Sequence, residues 1–200
     1  MAGKSKGAAT ADKILNAAFK CIATRGWGHV ALREIAEEAG VALSQLNYYY
    51  VNKEGLFAAV LAMMKREYAQ GLEVRMAGCH SFTERIAVLA AYNEEILREN
   101  PALYKTFLEF FNYSMWSGSF KAEVVHFICG ISTAIETQIT KDGDEEGPLS
   151  KFPPAVVTRL ILAASFGLSI QYLLDPADDR VLPGFDAMQS LIGFLSRGDS

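Results

Sequence analysis

The chain has 200 residues, 50% hydrophobic and 21% charged, with a formal net charge of −4. That is the balance of a soluble globular protein large enough to bury one or two cores. Its three cysteines, Cys21, Cys79 and Cys129, are odd in number and unclustered, which fits free thiols in a reducing cytoplasm better than a disulfide or zinc framework. The charge is uneven: residues 1–56 hold seven Lys/Arg and five acids, a net +2, which leaves −6 for the rest. An acidic body on a mildly basic head orients the head toward phosphate.

Residues 1–10 are polar, with Lys4 and Lys6 and no apolar run of a signal peptide, and read as a flexible tail. From Ala11 to about Thr24 an apolar stripe of Ile14, Leu15, Ala18, Phe19 and Ile22 predicts a helix, stopped by Arg25-Gly26-Trp27-Gly28. LREIAEEA, residues 32–39, is a short amphipathic helix carrying Leu32, Ile35, Ala36 and Ala39, and Gly40 ends it. A second short helix begins at about Leu43 and turns Leu46 and Tyr50 inward. It leaves Ser44, Gln45, Asn47, Tyr48 and Tyr49 outward. Two short helices around a glycine turn, the second with hydrogen-bonding side chains outward, form a helix-turn-helix. Amides can pair with adenine edges in a major groove, and phenols and hydroxyls can reach phosphates.

Asn52 is placed to cap a long helix running to about Met76, the strut between head and body. Five further helical stretches follow: Phe82–Arg98, Ala102–Trp116 after the Asn100-Pro101 break, Phe120 to about Thr140, Ala155–Leu174 and Phe185–Ser196. The polar segment KDGDEEGPLSKFPP reads as a loop. No strand signal or repeat is present. Ala155–Leu174 is long and apolar enough for a membrane span, but Arg159, Ser165, Ser169 and Gln171 interrupt it. It reads as a helix buried on two sides, with no membrane partner.

The motif from Ile35-Ala36 through Ala39-Gly40-Val41, Leu46, Tyr49-Tyr50, Lys53 and Leu56-Phe57 resembles the signature of TetR-type transcriptional regulators. Four positions depart from it: Ala31 for Thr, Ala42 for Ser, Ser44 for Gly and Asn47 for Tyr. The two alanines remove capping hydroxyls, at a cost of roughly 1 kcal/mol each, and Glu34 is left as half of a capping box. LILAASFGLSIQYLLDP, residues 160–176, resembles the next-to-last helix of TetR-type proteins with a betaine-regulator-like C-terminal domain. The resemblance implies an all-α protein. A three-helix helix-turn-helix head, residues 11–57, joins through a long helix to a helical effector-binding and dimerisation domain, residues 58–200. It also implies a homodimer, a double-stranded DNA operator and a small-molecule effector.

On that reading Arg33, Ser44, Gln45, Asn47, Tyr48, Tyr49 and Lys53 face DNA. Ser44, Gln45, Asn47 and Tyr48 are the candidates for base contact, Asn47 reading adenine or else meeting only water or backbone, with Tyr49 and Lys53 as phosphate contacts, Lys53 at a helix N-terminus. The lesser alternative for Arg33 and Lys53 is a solvated charge. The aromatic run FLEFFNYSMW suggests an apolar cavity lined by Tyr92, Tyr104, Phe107, Phe111, Met115, Trp116, His126 and Phe127, or else an ordinary aromatic core. A second copy would meet Leu160, Ala164, Gly167, Leu168, Gln171, Leu191 and Leu195, giving a four-helix bundle across a two-fold axis. No nucleophile motif, metal spacing or phosphate loop is found, so no catalytic residue, metal or cofactor is expected. Two other readings stay open: a helical ligand-binding or enzymatic protein whose head is idle, and an activator or a regulator answering to a protein partner.

Overall fold

The computed structural model describes residues 2–140 and 151–195, with side chains from residue 7 onward. Among the described residues every regular element is helical. The order is α1 (Ala2–Arg25), a 3-10 turn at Trp27–His29, α2 (Leu32–Glu38), α3 (Leu43–Tyr49), α4 (Lys53–Met76), α5 (Phe82–Glu99), α6 (Ala102–Ser114), α7 (Gly118–Ile139), α8 (Pro154–Leu174) and α9 (Pro183–Leu195). Eight of the nine begin within two residues of the sequence expectation. The exception is α1, which takes in residues 2–10, expected as a tail. The polar composition that suggested a tail does not oppose a helix, because alanine and lysine are strong helix formers. Most of the expected loop, residues 141–150, and Ser196 at the expected end of the last helix lie outside the described residues.

By packing, the chain forms two compact units, Met1–Arg66 with Lys105–Phe127, and Glu67–Tyr104 with Ile128–Ser200. The first is built on α1, against which α2 lies, with α3 packed on α2. Ile14, Ala18 and Ile22 of α1, Ile35 and Ala36 of α2, Leu46 of α3 and Leu56, Phe57 and Val60 of α4 are all buried. Each large one contributes roughly 1.5–3 kcal/mol of burial, which holds two seven-residue helices too short to persist alone. In the second unit α5 lies against α9 and α8. Its core includes Ile86, Leu89, Leu97, Ile161, Val181, Phe185 and Ile192.

Capping is settled locally. Gly40 takes φ +65, and Gly40 N–H donates to Glu37 O (3.1 Å) and Val41 N–H to Ala36 O (2.9 Å), a complete left-handed C-cap. Asn52 Oδ1 accepts from Gly55 N–H at 2.7 Å and caps α4 as expected. Ala31 offers no side-chain acceptor, but Glu34 fills part of the gap. One carboxylate oxygen accepts from Ala31 N–H and the other pairs with Arg25, both at 2.8 Å.

Candidate DNA-binding surface and effector site

On α3 the side chains separate as the 3.6-residue period requires. Leu46 is fully buried, while Ser44, Gln45, Asn47 and Tyr48 are exposed, Tyr48 to 82%. None of these four side chains hydrogen-bonds to another described residue, so their donors and acceptors stay open to an outside partner. Tyr50, expected inward, is half-buried at the end of α3, and burial pushes its phenol up. Tyr49 is also half-buried, and a Cβ at Gly7 would lie 3.5 Å from its hydroxyl, so the ring leans toward the start of α1. Arg33 stands exposed on α2 and pairs with Glu37 at 3.3 Å, one turn on. That surface pair is worth little and leaves the guanidinium reachable.

Lys53 differs from both sequence readings. Its ammonium donates to the Trp27 carbonyl at 2.8 Å and lies 4.9 Å from the Trp27 ring centroid. Desolvation by burial lowers its pKa. The first turn of α4 sits over Trp27, whose carbonyl and ring give the cation a partner that water would otherwise supply. Lys53 is therefore half-buried against Trp27, with one ammonium donor engaged there.

The expected ligand residues are divided between the two units. Tyr92 and Tyr104 belong to the second unit and the other six to the first. Phe107 and Phe127 are buried and stack at 5.3 Å, and Phe111 lies 6.3 Å from Phe107. Phe111, Met115 and Trp116 are 43%, 54% and 87% exposed. Met115 and Trp116 fall beyond the end of α6, where the chain turns toward α7, so helical spacing no longer carries them inward. His126 is exposed too, and its Nε2 lies 3.2 Å from Lys65 Nζ. Phe111, Met115, Trp116 and His126 thus stand exposed in the single chain.

The second unit holds a buried polar cluster that the aromatic pattern did not signal. Tyr68 donates to Asn93 Oδ1 (3.1 Å), and Asn93 Nδ2 reaches Ser165 Oγ at 3.5 Å. Ser169 donates to the Ser165 carbonyl at 2.8 Å. Asn93, Ser165 and Ser169 are each no more than 2% exposed. Burial pushes Tyr104 up to about 12, partly offset by its hydrogen bond with Ser169, and holds Tyr68 well above the ordinary phenol value. Tyr92 closes against α4 where Gly71 leaves room: a Cβ there would sit 2.1 Å from the Tyr92 hydroxyl. The hydroxyls of Ser132 and Thr158, also buried in this unit, have no partner. Apolar walls with a few convergent neutral hydrogen-bonding groups are the make-up of a small-molecule site.

An apolar stripe remains uncovered on α8. Val156, Leu160, Ala163, Ile170 and Leu174 are exposed and Gly167 is half-exposed, at intervals of four, three, four, three and four residues. On α9, Ala187, Leu191 and Phe194 continue the same spacing, with Leu195 38% exposed beside them. That interval is the seam of helices packed nearly parallel. Of the expected interface residues, Leu160, Gly167, Leu191 and Leu195 lie on this face. Leu168 does not: a Cβ at Gly184 would meet its Cδ2 at 2.5 Å, so it packs within the chain, and Ala164 sits half-buried beside the stripe. Gln171 is exposed, but its amide donates to the Gly167 carbonyl at 3.2 Å. Val156, Ile170, Leu174 and Phe194 were missed because composition marks apolar residues without saying which side of a nearly all-apolar helix is bare. α8 is also long and apolar enough to cross a membrane by length and composition. Its buried Thr158, Ser165 and Ser169 instead face the core of its own unit.

Residues 14–60 match the model described as bacterial regulatory proteins, tetR family. The transcriptional regulator RutR of Escherichia coli K12 is 34% identical over 113 residues, 52% of this chain and 50% of RutR. The regulator BetI of Brucella anthropi is 31% identical over 98 residues, 48% of this chain and 50% of BetI. The chain thus spans about half the length of the curated relatives it matches. Among solved structures, the regulator FadR of Bacillus subtilis in complex with stearoyl-CoA superposes with a TM-score of 0.75. That likeness covers 94% of this chain and 98% of FadR at 18% identity, and it establishes the shared all-α fold.

Proposed function

We propose, from the premise that this chain belongs by its head to the TetR family, that it is an effector-responsive, DNA-binding transcriptional regulator acting as a homodimeric repressor. The observation that carries the reading is α3: a buried Leu46 fixes a helix whose Gln45, Asn47 and Tyr48 stand free at the surface. Gln and Asn amides pair with adenine edges, and a dimer presents two such helices to half-sites one turn apart, about 34–36 Å. Lys53 and Trp27 brace the helix start next to this surface, and phosphate contact falls to Tyr49, Arg33 and the backbone N–H groups at the start of α4. The bare face of α8 and α9 supports a second copy of the chain as its cover.

The effector reading centres on Tyr68, Asn93, Tyr104, Ser165 and Ser169. It takes a small amphipathic molecule with an apolar body and a neutral hydrogen-bonding group. The acyl chain bound by the B. subtilis neighbour fits the first half of that description. The betaine-regulator likeness of residues 160–176 is the competing guide to its chemistry. Selection from random duplex DNA tests the main reading. A two-fold symmetric motif should be enriched, and its recovery should fall on adding one member of an acyl-compound and quaternary-amine series that also raises the melting temperature. Absence of any enriched duplex at low salt would overturn it.

A further inference from the structure

The helix-turn-helix motif, residues 32–49, is held at both flanks by a single helix outside it. On the N-terminal side, Gly26 takes φ +78, which turns the Trp27 N–H toward α6, where Glu109 Oε2 accepts it at 2.9 Å. A Cβ at Gly26 would crowd the same carboxylate at 3.3 Å, so the left-handed turn and the close approach both call for glycine. The Trp27 ring lies 3.8 Å from Phe57, 4.3 Å from Tyr113 and 5.5 Å from Phe120. On the C-terminal side, Tyr113 donates to Glu54 Oε1 in the first turn of α4 at 2.8 Å. Ser117 and Ser119 reach the same carboxylate at 3.4 and 3.3 Å. Glu109 and Tyr113 are four residues apart, hence on one face of α6.

We propose that Glu109 and Tyr113 are positioning residues of the DNA-binding head, gripping the chain just before α2 and just after α3 and so setting the angle at which α3 is presented. The motif needs such support. Its two helices have seven residues each, and neither has a side-chain N-cap, since Ala31 and Ala42 stand at those positions. Both flanks of α2–α3 therefore take their direction from contacts made elsewhere. A shift of α6 along its axis would pull on Trp27 and, through Glu54, on the first turn of α4 together, and so tilt α3. The proposal deepens the DNA-binding reading and rests on it only for the affinity arm of its test.

Trp116 is 87% exposed, so Trp116→Phe leaves Trp27 as the sole tryptophan of the 200-residue chain at little structural cost. In that background Glu109→Ala should shift Trp27 emission to the red and raise its quenching by acrylamide, with helicity unchanged. Affinity for a duplex recovered by selection should fall about ten-fold, as expected for one lost hydrogen bond to a charged group. Base preference should not change. Glu109→Gln, whose amide oxygen still accepts, should restore most of both signals, and Tyr113→Phe should reproduce part of the loss. Unmoved emission in both Glu109→Ala and Tyr113→Phe would overturn the proposal, as would a Glu109→Gln variant no better than Glu109→Ala. If Glu109→Ala does not fold, Tyr113→Phe with Ser117→Ala decides it by the same readouts. Failure to recover any duplex would fault the DNA-binding reading alone, because Trp27 emission still tests the grip.

Discussion

Replacing Gly167 with leucine separates the proposed dimer from the fold of its subunit. In the single chain nothing lies within 4 Å of a Cβ built at Gly167, so the larger side chain meets open space. In a dimer closed on the bare stripe of α8, Gly167 sits mid-stripe, seven residues from Leu160 and from Leu174. The added side chain overpacks the seam. Such insertions cost roughly 1–3 kcal/mol per site, and two-fold symmetry doubles this to about 2–6 kcal/mol. The dimer should weaken about 30-fold at the low end and by about four powers of ten at the high end. Sedimentation equilibrium over a concentration series reads that change, and thermal melting of the dissociated chain should stay near that of the parent monomer. Gly184→Ala is the control. Its Cβ would land 2.5 Å from Leu168 Cδ2, inside the α8–α9 seam of one chain. It should lower the melting temperature without a matching effect on assembly. An unchanged dissociation constant for Gly167→Leu, or loss of fold in its monomer, would refute the reasoning.

Asn47→Ala and Gln45→Ala should relax preference at defined base pairs by roughly 1–3 kcal/mol per bidentate contact, whereas Tyr49→Phe should weaken all sequences alike. Parallel selections from random duplex DNA with each variant check this. Tyr104 supplies a pH prediction. Its folded pKa is raised to about 12 from 10.0, chiefly by burial. The folded chain therefore keeps a proton that the unfolded chain loses. The stability it supports is intact below pH 10 and declines as pH rises toward about 12, by an amount on the order of 2 kcal/mol. Denaturant melts across that window should show the decline, and Tyr104→Phe should make it shallower, leaving the part that the raised Tyr68 phenol contributes.

Local rules make the head legible in the sequence. A glycine with positive φ must end α2, the 3.6-residue period must bury Leu46 and expose Gln45, Asn47 and Tyr48, and Asn52 is built to cap α4. Each depends on residues within one or two turns, so the order of residues alone determines it. Tertiary structure decided the rest, because the partners are far apart in sequence. Lys53 turned inward because Trp27, 26 residues earlier, offered a carbonyl and a ring. Met115 and Trp116 look like cavity residues by composition and stand exposed because α6 ends before them. The polar cluster joins Tyr68, Asn93 and Ser165, drawn from three helices, and no spacing rule connects them. On α8, apolar on nearly every side, periodicity cannot choose a face. Only the packing of α5 and α9 against it shows which side is left bare.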